Sequence, residues 1–191
     1  MNDIVTNKIL LFALLICIAN IMIFTFVPSS DYNFNLSLAA SQPWRFFTFQ
    51  FFHVDVYHLL ENVIGLLFIA MVAIELNINF KLFLPVYILS VFAVFLPMTI
   101  AFPLSIVAGN STGVYGVLAL CLIKARKLVS SKITIPIIFA FMFSTSITNF
   151  ALCGMCFLNF ISGEIFHMTG FLAGAFTSFM PTSTPKRILK I

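Results

Sequence analysis

Charge is what this sequence has least of. Only 8% of its 191 residues are charged, against 61% hydrophobic, where a soluble domain carries about 25% charged residues. That scarcity excludes a soluble globular domain and points to an integral membrane protein with the lipid bilayer as its surroundings. No basic cluster is interleaved with aromatics in a polar context, so nucleic acid is not an expected partner. Cysteines number four. Cys17 and Cys121 lie inside apolar runs, where cysteine acts as a small apolar residue. Cys153 and Cys156 have CxxC spacing, but a zinc site needs about four ligands and a thioredoxin-like motif needs a βαβ context. They read as two loop thiols or a local disulfide, and no metal or cofactor is expected. There is no inverted repeat and no row of polar residues along several spans, which argues against a transporter or channel.

Long apolar runs are abundant. About 20 residues cross the roughly 30 Å of hydrocarbon at 1.5 Å per residue. The expected spans are about 9–28, 55–76, 81–102, 111–127, 133–152 and 160–180, making residues 1–191 a single all-α polytopic membrane domain of six helices. The first run exceeds the h-region of a signal peptide and is read as an uncleaved span. Residues 29–52 form a loop rich in phenylalanine and partly sunk into the interface. Asp55 is a candidate N-cap for the second span, and Pro97 should bend the third. The fourth helix is short, so it begins below the outer surface, after a charge-free connection at 103–110.

Basic residues set the orientation. Lys8, Lys81, Lys124, Arg126, Lys127, Lys132, Lys186, Arg187 and Lys190 fall on one side and only Arg45 on the other. By the positive-inside rule both termini are cytoplasmic. The starts of spans two, four and six then share the outer side, and they hold His53, His58, Asn62, Ser111 and His167.

These residues can make one site. A serine nucleophile needs a base for its proton and donors for the oxyanion. Ser111 opens the fourth helix, where backbone N–H groups have no helical partner. His167 lies about seven residues into the sixth span, at similar depth. His58 and Asn62, spaced i,i+4, share one face of the second span and both carry N–H donors. His53 falls off that face and is expected to tie down the loop. Gly170 and Gly174 share the His167 stripe, and Gly113 with Gly116 offers a matching thin surface, so the two helices can approach closely. Singly, each residue has a plainer reading, the serine as a cap and the histidines as packing residues. Ionisable groups gathered in one membrane layer make function the default.

The chain resembles the rhomboid family of intramembrane serine proteases in its minimal six-span form. The second-span pattern His-x4-His-x3-Asn stands as His53, His58 and Asn62. The Gly-x-Ser motif stands as Gly109-Asn110-Ser111, continued by Tyr115 and Gly116. The last-span His-x2-Gly-x3-Gly stands as His167, Gly170 and Gly174, and the first-loop pair as Trp44 and Arg45. The resemblance implies a Ser111–His167 dyad, an oxyanion hole of His58, Asn62 and the Ser111 N–H, and Tyr115 packed on the His167 ring. It implies single-span membrane proteins as substrates, cut near the outer end of their helix. The setting would be the cell membrane, with the site towards the outer side. Cys153 and Cys156 would fall in a capping loop. The alternative is an inactive relative that binds membrane helices without cutting them. One position departs: the family's usual glycine after the serine is Thr112, which bears on the turn and on the width of the cleft. Glu164, three residues before His167, is a candidate third member.

Overall fold

The computed structural model describes residues 3–27, 34–126 and 157–179, together with Pro136. Apart from Pro136, the expected fifth span lies outside the described residues. So do Cys153, Cys156, the basic turn beyond Arg126 and the stretch from Pro181 onward.

The described chain is helical. Helix α1 runs Asp3–Phe26, and its apolar, membrane-crossing part is Lys8–Phe26. It starts earlier than the apolar run alone indicates because the polar residues before Lys8 continue the helix. Its outward side carries Leu11, Leu15, Ile18, Met22 and Phe26. A ridge of large apolar side chains of this length suits contact with lipid. Helix α3 (Val56–Glu75) begins where the Asp55 carboxylate accepts the His58 N–H at 2.8 Å, the expected N-cap. It ends in a tight turn in which Asn77 takes φ 53°, a left-handed conformation that asparagine tolerates.

The third span is two helices, α4 (Phe80–Phe92) and α5 (Phe95–Ile100). The sequence anticipated a bend at Pro97; the chain breaks. Proline has no N–H to give the carbonyl four residues back, and its ring crowds that carbonyl. The position four back is Ala93, where α4 has just ended. Helices α3, the α4–α5 pair and the apolar part of α1 are each long and apolar enough to cross a membrane.

Helix α6 (Ser111–Ala125) is the centre of the fold. Every residue from Thr112 to Cys121 is buried, as befits a helix that is apolar on all sides. It packs most extensively on α7 (Phe157–Thr177), then on α4 and α3. Its 15 residues measure about 22 Å, short of the hydrocarbon thickness.

Residues 34–52, read from the sequence as a loop, contain helical structure. A 3-10 turn at Leu36–Leu38 is followed by α2 (Arg45–Thr48) and a second 3-10 turn at Phe49–Phe51. Phenylalanine packing explains the order. Phe34 and Phe49 are fully buried, and the Phe34 ring lies 4.6 Å from Phe46 and 4.8 Å from Phe95. Phe34 also exchanges backbone hydrogen bonds with Val107 at 2.8 and 3.0 Å. The first loop is thereby fastened to the connection that leads into α6. Arg45 is buried and donates to Gln42, whereas Trp44 is half exposed.

Candidate active site

The site starts at the backbone that delivers Ser111. Gly109 has φ +89°, a conformation that glycine adopts without strain. Its N–H donates to the Phe49 carbonyl at 3.0 Å, tying the turn to the first loop. Asn110 occupies the N-cap position of α6 but makes no side-chain cap. Ser111 is therefore the first helical residue of an end that its N-cap side chain leaves unsealed. Its N–H has no partner within the helix, and the positive end of the helix dipole lies beside its hydroxyl.

Helix α7 brings His167 to Ser111. His167 Nε2 lies 3.0 Å from Ser111 Oγ, within hydrogen-bond reach for proton transfer. Its ring is stacked on Tyr115, with centroids 4.4 Å apart and planes inclined by 16°. The stack comes from α6 itself, one turn beyond Ser111, so serine and imidazole are held by the same helix. The described part of α7 starts at Phe157, ahead of the expected 160, and His167 lies about 15 Å along it.

Two glycines of α7 allow this approach. A Cβ at Gly170 would stand 2.9 Å from both Cα and Cβ of Thr112, and one at Gly174 would overlap the Gly116 backbone. The matching face of α6 is Thr112 and Gly116, spaced i,i+4. Gly113, expected on this seam, faces α4 instead: a Cβ there would meet the Tyr87 ring and Val91. One residue of helix is a turn of about 100°, which separates 113 from the 112–116 stripe.

Helix α3 brings His58 and Asn62 to the same turn. A Cβ on Gly109 would lie 2.9 Å from Cε1 and 3.0 Å from Nε2 of His58, and 3.6 Å from Nδ2 of Asn62. Both side chains thus converge on the backbone two residues before Ser111, where a larger residue would displace them. Asn62 is buried and its amide donates one hydrogen to the His58 carbonyl at 2.8 Å. An amide nitrogen has two hydrogens, so one remains. His53 is fully buried, its ring 5.1 Å from that of His58 and inclined by 61°. Burial, and next the His58 ring, pull the His53 pKa down to about 3, so it packs behind His58 as a neutral imidazole. Among the described residues no group of three or more His, Cys, Asp and Glu side chains is placed to hold a metal ion.

A serine hydroxyl and an imidazole at hydrogen-bond distance, a helix N-terminus and two further side chains with N–H groups are a set of groups able to carry acyl transfer. A family model of the Rhomboid domain matches residues 40–183. The chain belongs to the rhomboid family. Comparison with curated proteins and with solved structures returned no significant match.

In this rhomboid Thr112 has its side chain between α7 and α4. It is buried, its backbone and Cβ lie against Gly170, and its hydroxyl donates to the Val91 carbonyl at 3.4 Å. Room for its side chain comes from the missing Cβ of Gly170. Glu164 does not act on the imidazole through a hydrogen bond, because His167 Nδ1 has no hydrogen-bond partner among the described residues. Sequence reasoning passed over Asn20, Tyr87 and Ser90. Asn20 and Tyr87 are buried on α1 and α4 and both bond to Asn110, and Ser90 faces Gly116 across the α4–α6 contact. An amide inside the first apolar run was the available signal, since polar groups at membrane depth need partners.

Proposed function

We propose that this rhomboid is an intramembrane serine endopeptidase that cuts single-span membrane proteins near the outer end of their helix. The reading rests on one observation, the 3.0 Å approach of Ser111 Oγ to His167 Nε2. Ser111 attacks the scissile carbonyl carbon while His167 Nε2 takes the hydroxyl proton. The carbonyl oxygen becomes an oxyanion and accepts hydrogen bonds from His58 Nε2–H, Asn62 Nδ2 and the Ser111 N–H. Collapse of the tetrahedral species expels the amine, which leaves with the proton from His167. Water, deprotonated by the same nitrogen, then hydrolyses the acyl-serine. Gly109 and His53 hold the donors, Tyr115 holds the imidazole, and Gly170 and Gly174 hold α7 against α6.

The test is direct. Purified protein incubated with a panel of single-span substrates should release fragments cut in the outer part of the helix, with the Ser111→Ala protein as control. No cleavage of any substrate, or equal cleavage by the control, would remove the reading.

The proposed orientation has both termini in the cytoplasm and the site towards the outer side of the cell membrane. It rests on the nine-to-one distribution of basic residues. A reporter inserted at Lys127 should read cytoplasmic and one at Asn35 external. The reverse pattern would put the site on the wrong face for outer-end cleavage.

A further inference from the structure

Helix α6 has an asparagine in its N-cap position, yet that asparagine does not cap it. Asparagine is among the most favoured capping residues, and a capping residue typically has extended backbone. Asn110 instead holds φ −106° and ψ 14°, and its side chain makes no bond to the helix's own N–H groups. The fully buried carboxamide is held from two sides. Its Nδ2 donates to the Tyr87 hydroxyl on α4 at 2.8 Å. Its Oδ1 accepts from Asn20 Nδ2 on α1 at 3.4 Å. Both partners are buried, and the Tyr87 ring is fixed edge-on by Phe12 at a centroid distance of 5.1 Å. The same ring closes on the first turn of α6, where a Cβ at Gly113 would stand 2.8 Å from it.

A carboxamide in the capping position would accept from the N–H of the second or third helical residue, here Thr112 or Gly113. The Gly113 N–H already donates to the Asn110 carbonyl at 3.0 Å, which leaves Thr112. Such a cap would lie across the open end of α6 beside Ser111, where a developing oxyanion needs unengaged donors. We infer that Asn20 and Tyr87 are positioning residues that hold the Asn110 carboxamide away from α6 and keep its N-terminus open for the reacting carbonyl oxygen. The inference rests on the serine-protease reading above.

The experiment compares the full-length wild type with Tyr87→Phe, Asn110→Ala and the double variant. One readout is amide hydrogen exchange across residues 111–113. The other is the rate of Ser111 labelling by a fluorophosphonate. Tyr87→Phe keeps the ring that packs on Gly113 and Phe12 and removes only the hydroxyl. It should slow exchange about five- to tenfold, as a new cap does, and slow labelling about 10- to 100-fold. The double variant should regain most of both, because no carboxamide is left to cap. Asn110→Ala alone should lose less labelling than Tyr87→Phe. A merely structural clamp gives the opposite pattern: faster exchange in Tyr87→Phe, and a double variant no better than the worse single one. Either result overturns the inference. If Tyr87→Phe does not fold, Asn20→Leu breaks the other bond and is judged by the same readouts. Exchange needs no catalysis. A wild type that labels nowhere would therefore sink the protease reading, while the exchange arm still decides the role of Tyr87.

Discussion

Ser111→Ala is expected to leave no fluorophosphonate adduct anywhere on the protein and to lower substrate cleavage by about 10⁴–10⁶. His167→Ala should produce a loss of the same order, and the double variant should be scarcely worse than either single one. On the proposed mechanism the two residues act as a unit. A neutral hydroxyl is a weak nucleophile until a base at hydrogen-bond distance takes its proton, and here that base stands at 3.0 Å. The Tyr115 stack at 4.4 Å restricts the ring, so neither a water nor a neighbouring side chain readily replaces it. Both substitutions remove atoms from half-buried positions, and the fold should survive. The measurements are labelling mapped by mass spectrometry and cleavage rates with an intact unfolding transition. Additive losses in the double variant would mean that serine and histidine work separately, and labelling retained in Ser111→Ala would place the nucleophile elsewhere.

Asn62→Ala and His58→Ala should each lower kcat by up to about 10²–10³, some 3–4 kcal/mol, with little change in KM. Donors used mainly in the transition state affect turnover more than binding. Both nitrogens lie within 4 Å of where a Gly109 Cβ would stand, beside the turn that carries Ser111. The losses fall below that range if the Ser111 N–H takes up the charge. Leu60→Ala serves as the control: Leu60 is on the same helix but is half exposed on its outer face, and kcat should stay within a few-fold. A silent Asn62→Ala paired with a damaging Leu60→Ala would show that the wrong face of α3 has been assigned. A rise in KM at constant kcat would make the two residues substrate-binding groups rather than oxyanion donors.

Much of the helix pattern and most of the candidate site were legible before any coordinates. Apolar runs reveal membrane helices because the bilayer demands about 20 apolar residues per crossing. Asp55 could be assigned as a cap because capping is local, needing only a side chain and the N–H three residues on. His58 and Asn62 could be placed on one face, and Gly170 and Gly174 on the stripe of His167, by helical spacing alone. The misreadings have a common origin. The 34–52 segment was taken for a loop because its order comes from phenylalanines meeting Phe95 and from pairing with Val107, contacts between residues far apart in the chain. Gly113 was put on the α7 seam because a cluster of small residues does not say which neighbour each one faces.

By itself the sequence determined what short-range chemistry governs: the membrane class, the long apolar helices, and a serine on a glycine turn together with two histidine-bearing stretches. Only the tertiary structure decided which groups meet. It set His167 Nε2 3.0 Å from Ser111 Oγ, turned Thr112 into the space left by Gly170, and drew the Asn110 carboxamide to Tyr87 and Asn20 rather than to its own helix. Each outcome depends on how closely two helices approach and how they are rotated. Those quantities come from packing across the whole bundle, where one missing Cβ on a distant helix decides whether a side chain fits.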